Sequence, residues 1–186
     1  GLEGRNIRVG ESPSHVATMR ALGASATPLP WGEVVTALET GLADGQFNAP
    51  VINTAFKLFE VTDYTTMTGH VYNTQTWVVS ESWFQSLPEE YQQIVILSAR
   101  EAIQLAQGAS GALATASWQQ SCEAFDDCYI MPMEERQRMA ELARPAWKEW
   151  IVNDFGMEES VIDDLWAEVD RIGQELTEAD WQIYGQ

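Results

Sequence analysis

Basic residues are scarce in this chain: 10 Lys and Arg stand against 28 Asp and Glu, for a formal net charge of -18. That balance argues against nucleic acid or an anionic membrane surface as partner, since both recruit positive surfaces. An anionic ligand would have to be drawn in by a local arrangement working against the global field. Long apolar runs are missing too, and with no stretch of 18 or more such residues nothing in the sequence spans a bilayer as a helix. The opening Gly1-Leu2-Glu3-Gly4-Arg5 is polar and lacks the character of a leader. It reads as if the numbering began inside a longer protein, and a leader removed on export is compatible with it. Cysteine is nearly absent. Cys122 and Cys128 are not spaced as CxxC, and His15 and His70 lie too far off to complete a metal set. On one continuous helix the two cysteines would point about 240° apart. If the helix ends near Phe125-Asp126 a disulfide becomes feasible, and the sequence leaves both outcomes open.

What is present is ordinary for a globular chain: 186 residues, 45% hydrophobic and 20% charged. This suffices for one domain or two small interleaved lobes with a sizeable core. Asn6-Ile7-Arg8-Val9 reads as a short strand closed by Gly10, and Ser12-Pro13 as the start of a helix that stops at Gly23. A second strand over Ser25–Leu29, a helix over Glu33–Thr40 and a third strand over Gln46–Asn48 follow. Alternation of this kind predicts a parallel sheet covered by helices. Val51–Phe59 reads as a further helix. Tyr64–Gly69 and Val71–Ser80 read as extended, with Thr76-Trp77-Val78-Val79 the most buried run of a strand crossing between lobes. Ser86-Leu87-Pro88-Glu89 matches a capping box. The helix it would open, if unbroken to Phe125, spans about 58 Å, with Gly108 and Gly111 the places for a break. Tyr129–Pro132 reads as a brief strand. Glu134–Trp150 is a helix kinked at Pro145, and Glu158–Leu176 a last amphipathic helix. Trp147, Trp150, Trp166 and Trp181 fall at spacings that mark core more than ligand cage.

Candidate site residues gather at strand ends, where parallel α/β sheets hold ligands. Arg8 brings a guanidinium, Asn48 an amide with donor and acceptor, and Trp31 a rigid aromatic plane. Together they point to a small organic anion. Each residue also has a plainer reading: Arg8 as partner of Glu11, Asn48 as a strand-end cap, Trp31 as packing at a helix start. Asn73 and Gln75 lie where the chain enters the presumed crossing strand and could face the same cleft. No P-loop, GxGxxG or GxSxG elbow is present; Gly108-Ala109-Ser110-Gly111 is one residue short. Neither histidine has a nucleophile or carboxylate at motif spacing.

The segments GLEGRNIRV, LGASATPLPWGEVVTALETGLADGQFNAP, FEVTDYTTMTGHVYN and SLPEEYQ follow one another from Gly1 to Gln92. In order and spacing they resemble the periplasmic solute-binding subunits of TRAP transporters, the dicarboxylate- and sialic-acid-binding (DctP-like) proteins. That family's usual pattern is close to GLKIRVP, LGAxPTPMPxxEVYTALQTGVVDGQENP, FYEVxKYLxLTGH and SLPEExQ. The resemblance implies an α/β, periplasmic-binding-protein-like architecture of two lobes closing over a carboxylate ligand. It also implies that the chain is a C-terminal portion only: mostly the second lobe plus a long helix spanning the lobes, with the N-terminal lobe largely missing. On that basis residues 1–75 with about 115–150 form the C-terminal ligand-binding lobe. Residues 76–114 form a crossing strand and long helix contributing to the first lobe, and 151–186 a helical tail. Arg8 matches the arginine that pairs with the ligand carboxylate, Asn48 the asparagine that hydrogen-bonds it, and Trp31 an aromatic pocket position.

Two departures bear on the site. Gly10-Glu11 replaces the usual proline after the IRV run, and QENP becomes Gln46-Phe47-Asn48-Ala49-Pro50. The Glu-Trp pair of a metal-dependent subfamily is absent, so no metal and no cofactor is expected. The function implied is a non-catalytic, exported periplasmic protein that carries an organic acid to the membrane subunits of a TRAP transporter, with self-association through uncovered lobe surface. The alternatives are an α/β enzyme acting on a small carboxylate and a sensor or scaffold domain of the same fold.

Overall fold

A computed structural model of the chain describes residues 2–72 and 74–175. Three short parallel strands form the first sheet: β1 (Asn6–Val9) lies between β2 (Ser25–Pro28) and β3 (Gly45–Gln46). The register sets Arg8 opposite Thr27 on one side and Gln46 on the other. Between β1 and β2 runs α1 (Pro13–Ala21), with proline at its first position, where the missing N–H costs nothing. Gly23, at φ 89°, ends it: Gly23 N–H donates to Arg20 O and Ala24 N–H to Met19 O, a Schellman closure that needs a left-handed residue. A 3-10 turn (Trp31–Glu33) leads into α2 (Val34–Glu39), and α3 (Pro50–Ala55) follows β3.

The second sheet pairs β4 (Tyr64–Met67) with β5 (Asp127–Ile130), again parallel. Between them lie α4 (Glu81–Ser86) and α5 (Glu89–Ala124). After β5 come α6 (Met133–Asn153) and α7 (Glu159–Glu175). Val9, Met19, Leu22 and Ala24 make the first core cluster, against which Met139 and Ala143 of α6 pack. Val34, Ala37, Leu38 and Ala43 make a second, with Leu29 and Val61 against it. Leu58, fully buried, follows Lys57, which takes a left-handed φ of 52° and stops α3. Arg144 pairs with Asp170, and Lys148 with Glu159 and Asp163, so α7 is held along α6 by ion pairs as well as by Trp147 against Trp166.

Several expectations change. The segment 74–80 is irregular, and Trp77, Val78 and Val79 are 61%, 82% and 57% exposed, the opposite of a buried crossing strand. β-branched and aromatic composition marks a run that can pair, but pairing needs a neighbouring strand, and among the described residues none pairs with 74–80. Ser86 caps nothing at α5: its hydroxyl donates to Trp83 O, closing the extra helix α4, and Pro88 sits at the cap position without a side-chain bond. Gly108 and Gly111 break nothing; α5 is continuous over 36 residues, about 54 Å long. Pro145 likewise lies inside an unbroken α6. Trp181 and Leu176 fall outside the described residues. Among the described residues, regular elements run from Asn6 to Glu175 and include two parallel sheets.

α5 ends at Ala124, and the chain turns back at once into β5, so Cys122 and Cys128 meet with Cα atoms 5.1 Å apart and form a disulfide. The bridge staples the buried end of α5, where Ser117, Trp118 and Ser121 pack, to the second sheet. Denaturing alkylation before reduction should label no thiol, and after reduction two. Reduction should lower stability by about 2 kcal/mol, the order expected for so short a loop. Two labelled thiols without reductant would refute the bridge.

Candidate functional site

The site begins with Arg8. Alternation along β1 buries Val9 completely, and Arg8 is itself only 6% exposed. Its Nε and Nη2 both donate to the carbonyl of Leu29, at 3.1 and 2.6 Å, in the loop just past β2. One carbonyl absorbs two of the five guanidinium N–H groups, leaving capacity for an anion. No carboxylate lies within ion-pair distance of Arg8 among the described residues. Glu11 raises its pKa only through space, while burial, the larger effect, lowers it. The indole of Trp31 lies 5.8 Å from the guanidinium carbon and is braced edge-on by Phe56 at 4.9 Å. Arg8 and Trp31 therefore meet through the backbone that both flank.

Asn48 comes to the same end of the sheet from β3. Its amide nitrogen donates to Gln46 Oε1 at 2.5 Å, and Gln46 Nε2 donates to Asn53 Oδ1 at 3.1 Å. Because Asn53 is buried on α3, this relay fixes the rotamer of exposed Asn48 and leaves its second N–H available. Gln46 is also the residue opposite Arg8 in the ladder. Of the other sequence candidates, Gln75 is exposed on the irregular segment before α4, and Asn73 lies outside the described residues.

A second group forms around the two histidines, for which sequence spacing offers no partner. His15 on α1, Phe47 after β3 and His70 after β4 stack edge to face, with ring centroids 5.1 and 4.9 Å apart. Gly69, at φ 62°, makes the turn that returns His70 toward Phe47; a side chain there would also meet the Arg136 guanidinium at 3.3 Å. His70 Nδ1 shares a 2.6 Å hydrogen bond with Thr68 Oγ1. His70 Nε2 and His15 Nδ1 are buried without a hydrogen-bond partner. Both imidazoles are pushed toward the neutral form: His15 by burial and then by the Arg8 charge, His70 by burial and then by His15. With Asn48, Asn53 and Trp118 these rings line a cavity of about 300 Å³. Both histidines stand shortly after strand ends, the one cue in the sequence that could have joined them to Arg8.

A strand-end cation, an amide held by a relay and an adjoining small cavity are what a solute-binding cleft requires, and known proteins bear on that reading. The profile of bacterial extracellular solute-binding protein, family 7 (DctP), matches residues 1–153. The 2,3-diketo-L-gulonate-binding periplasmic protein YiaO of Escherichia coli is 36% identical over 101 residues, covering 54% of this chain and 31% of that protein. Among solved structures, a TRAP periplasmic solute-binding protein from Ochrobactrum anthropi superposes with a TM-score of 0.78 at 30% identity, covering 100% of this chain and 56% of that one. The periplasmic ectoine-binding protein of the TeaABC TRAP transporter from Halomonas elongata gives 0.76 at 29% identity, over 88% of this chain and 53% of that one. The chain thus spans about half the length of these solved structures. The matches correct the expectation of a C-terminal portion with the N-terminal lobe largely missing: the profile runs from residue 1, the likeness covers the whole chain, and the fold is two-lobed periplasmic-binding-protein-like α/β. The solved structures it resembles are solute-binding proteins and not enzymes. From its sequence and its fold alike, the chain belongs to the bacterial extracellular solute-binding proteins of family 7.

Proposed function

We propose that this protein captures a small organic acid by its carboxylate outside the cytoplasm, in the periplasm, and delivers it to the membrane subunits of a TRAP-type transporter. The observation that carries the reading is Arg8, a buried guanidinium that forks onto a backbone carbonyl and has no carboxylate within ion-pair distance among the described residues. Burying a cation without an anion is costly, and a ligand carboxylate would offset that cost. Asn48 adds the hydrogen bond its relay leaves free, and Trp31 the flat wall against which a ligand can lie. Among relatives, the E. coli protein is named for a carboxylate, 2,3-diketo-L-gulonate. Catalysis is not needed to account for any of these residues.

Arg8→Ala should weaken carboxylate binding by about 2–4 kcal/mol, roughly 30- to 700-fold in Kd by calorimetry. Arg8 also holds the loop after β2, so Asn48→Asp provides a second probe: an exposed substitution that places a negative charge against the ligand and should weaken binding about tenfold or more. Carboxylate affinity untouched by both changes would sink the proposal.

The histidines make a separate prediction about pH. Their folded-state pKa values lie below the ordinary 6.5, so as pH falls the unfolded chain takes up protons before the native one does. Stability from this source is complete above about pH 6.5 and declines as pH drops from there toward the folded-state values. Urea unfolding of the native protein should show that decline, and His70→Gln should reduce its slope. A native protein that gains stability on acidification through this window, with the slope set by His70, would contradict the assignment.

A further inference from the structure

The cavity beside the Arg8 edge differs from it in one respect: of the residues lining it, none is Asp, Glu, Lys or Arg. Its polar groups are the amides of Asn48 and Asn53, threonine hydroxyls and the two imidazoles; its apolar walls include Phe47 and Trp118. We propose that this cavity is the subsite for the far end of the ligand, and that it selects a neutral hydroxyl-bearing group over a second carboxylate. The inference rests on Arg8 holding the first carboxylate.

Three observations lead there. Phe47 occupies the space between His15 and His70, in edge-to-face contact with both, so no anion stands between the rings to hold them charged. With both rings driven toward the neutral form, the wall offers no counter-ion to a second carboxylate, which would be stripped of water and left unpaired. Finally, His70 Nε2 is buried with no hydrogen-bond partner, while Nδ1 is committed to the Thr68 hydroxyl. If Nδ1 carries the proton, Nε2 can only accept, and a carboxylate has nothing to donate to it. A hydroxyl can donate or accept and satisfies either tautomer. Asn48 lines this cavity and also belongs to the Arg8 edge, so one ligand could reach both.

The test uses paired ligands that differ only in exchanging CH2OH for a carboxylate: gluconate against glucarate, and 4-hydroxybutyrate against succinate. Calorimetry at about pH 8, where imidazoles are neutral, reads each affinity in the native protein, in Arg8→Ala and in His70→Phe. In at least one pair the hydroxy acid should bind about tenfold or more tightly than its diacid, dependent on Arg8. His70→Phe keeps an aromatic ring against Phe47 but removes Nε2, and should shrink that preference severalfold. Arg8-dependent binding in which the diacid equals or beats the hydroxy acid overturns the subsite while leaving the carboxylate reading intact. Binding insensitive to Arg8→Ala, or none by all four compounds, overturns both. The preference in the native protein decides the matter even if His70→Phe fails to fold.

Discussion

Everything at this site follows from the bifurcated bond between the Arg8 guanidinium and the Leu29 carbonyl. β1 is only four residues long, and its third residue is a cation, buried on the face opposite Ile7 and Val9. A buried guanidinium is tolerable only if its geometry is dictated, and two N–H groups converging on one oxygen dictate it. The same bond fixes the loop after β2, and that loop carries Trp31 to the guanidinium. On the other side of β1, the ladder sets Gln46 opposite Arg8, and Gln46 in turn holds Asn48. Loosening the fork would therefore disturb cation, aromatic and amide together. That is why the three are proposed together as one site.

How much of this was legible in the sequence depends on the range of the forces involved. β1, α1, β2 and the helix after β2 are encoded locally, by alternation, by Pro13 at a helix start and by Gly23 at its end. The placement of Arg8, Trp31 and Asn48 at one end of the first sheet was legible because strand ends are predictable from those same signals. The segment 74–80 was misread because its composition describes what a strand looks like when another strand lies beside it. Ser86 was misread because serine three residues before glutamate fits two neighbouring helix ends equally well, and the hydroxyl serves the end of α4. His15 and His70 are 55 positions apart and meet only across Phe47, so no spacing rule could have paired them. Gln75 was placed by its nearness in sequence to a strand that does not form.

Charge poses the next problem. A molecule of net charge -18 repels the anion it is proposed to bind. Screening resolves the conflict: at physiological ionic strength the Debye length is about 8 Å, so distant carboxylates on α6 and α7 are felt weakly at Arg8. Many of those acids are also paired, as Asp170 is with Arg144 and as Glu159 and Asp163 are with Lys148. The carboxylate whose charge acts on Arg8 is Glu11, which follows Gly10 where the resembled pattern has proline. The Glu11 charge partly offsets the effect of burial on Arg8 and repels an arriving carboxylate. Glu11 makes no ion pair with Arg8, so an anion that binds can use the guanidinium N–H groups that the Leu29 carbonyl leaves free, which favours a planar carboxylate on that open edge.

Phe47 shows how one side chain can change what a binding wall reads. The resembled pattern carries glutamate at this position, and a carboxylate between His15 and His70 would hold both imidazoles protonated through direct pairing. Phenylalanine reverses the sign of that effect. It removes the anion, excludes water and leaves burial as the leading influence on each ring, with Arg8 adding to it at His15. The wall thereby loses two potential positive charges and keeps two imidazoles able to hydrogen-bond in either direction. Fixed positive charge stays on Arg8, at the strand end, while the far wall remains polar and uncharged. A ligand with one carboxylate and one neutral polar end matches that division; a ligand with a charge at each end would bring to Phe47 an anion that nothing there can pair.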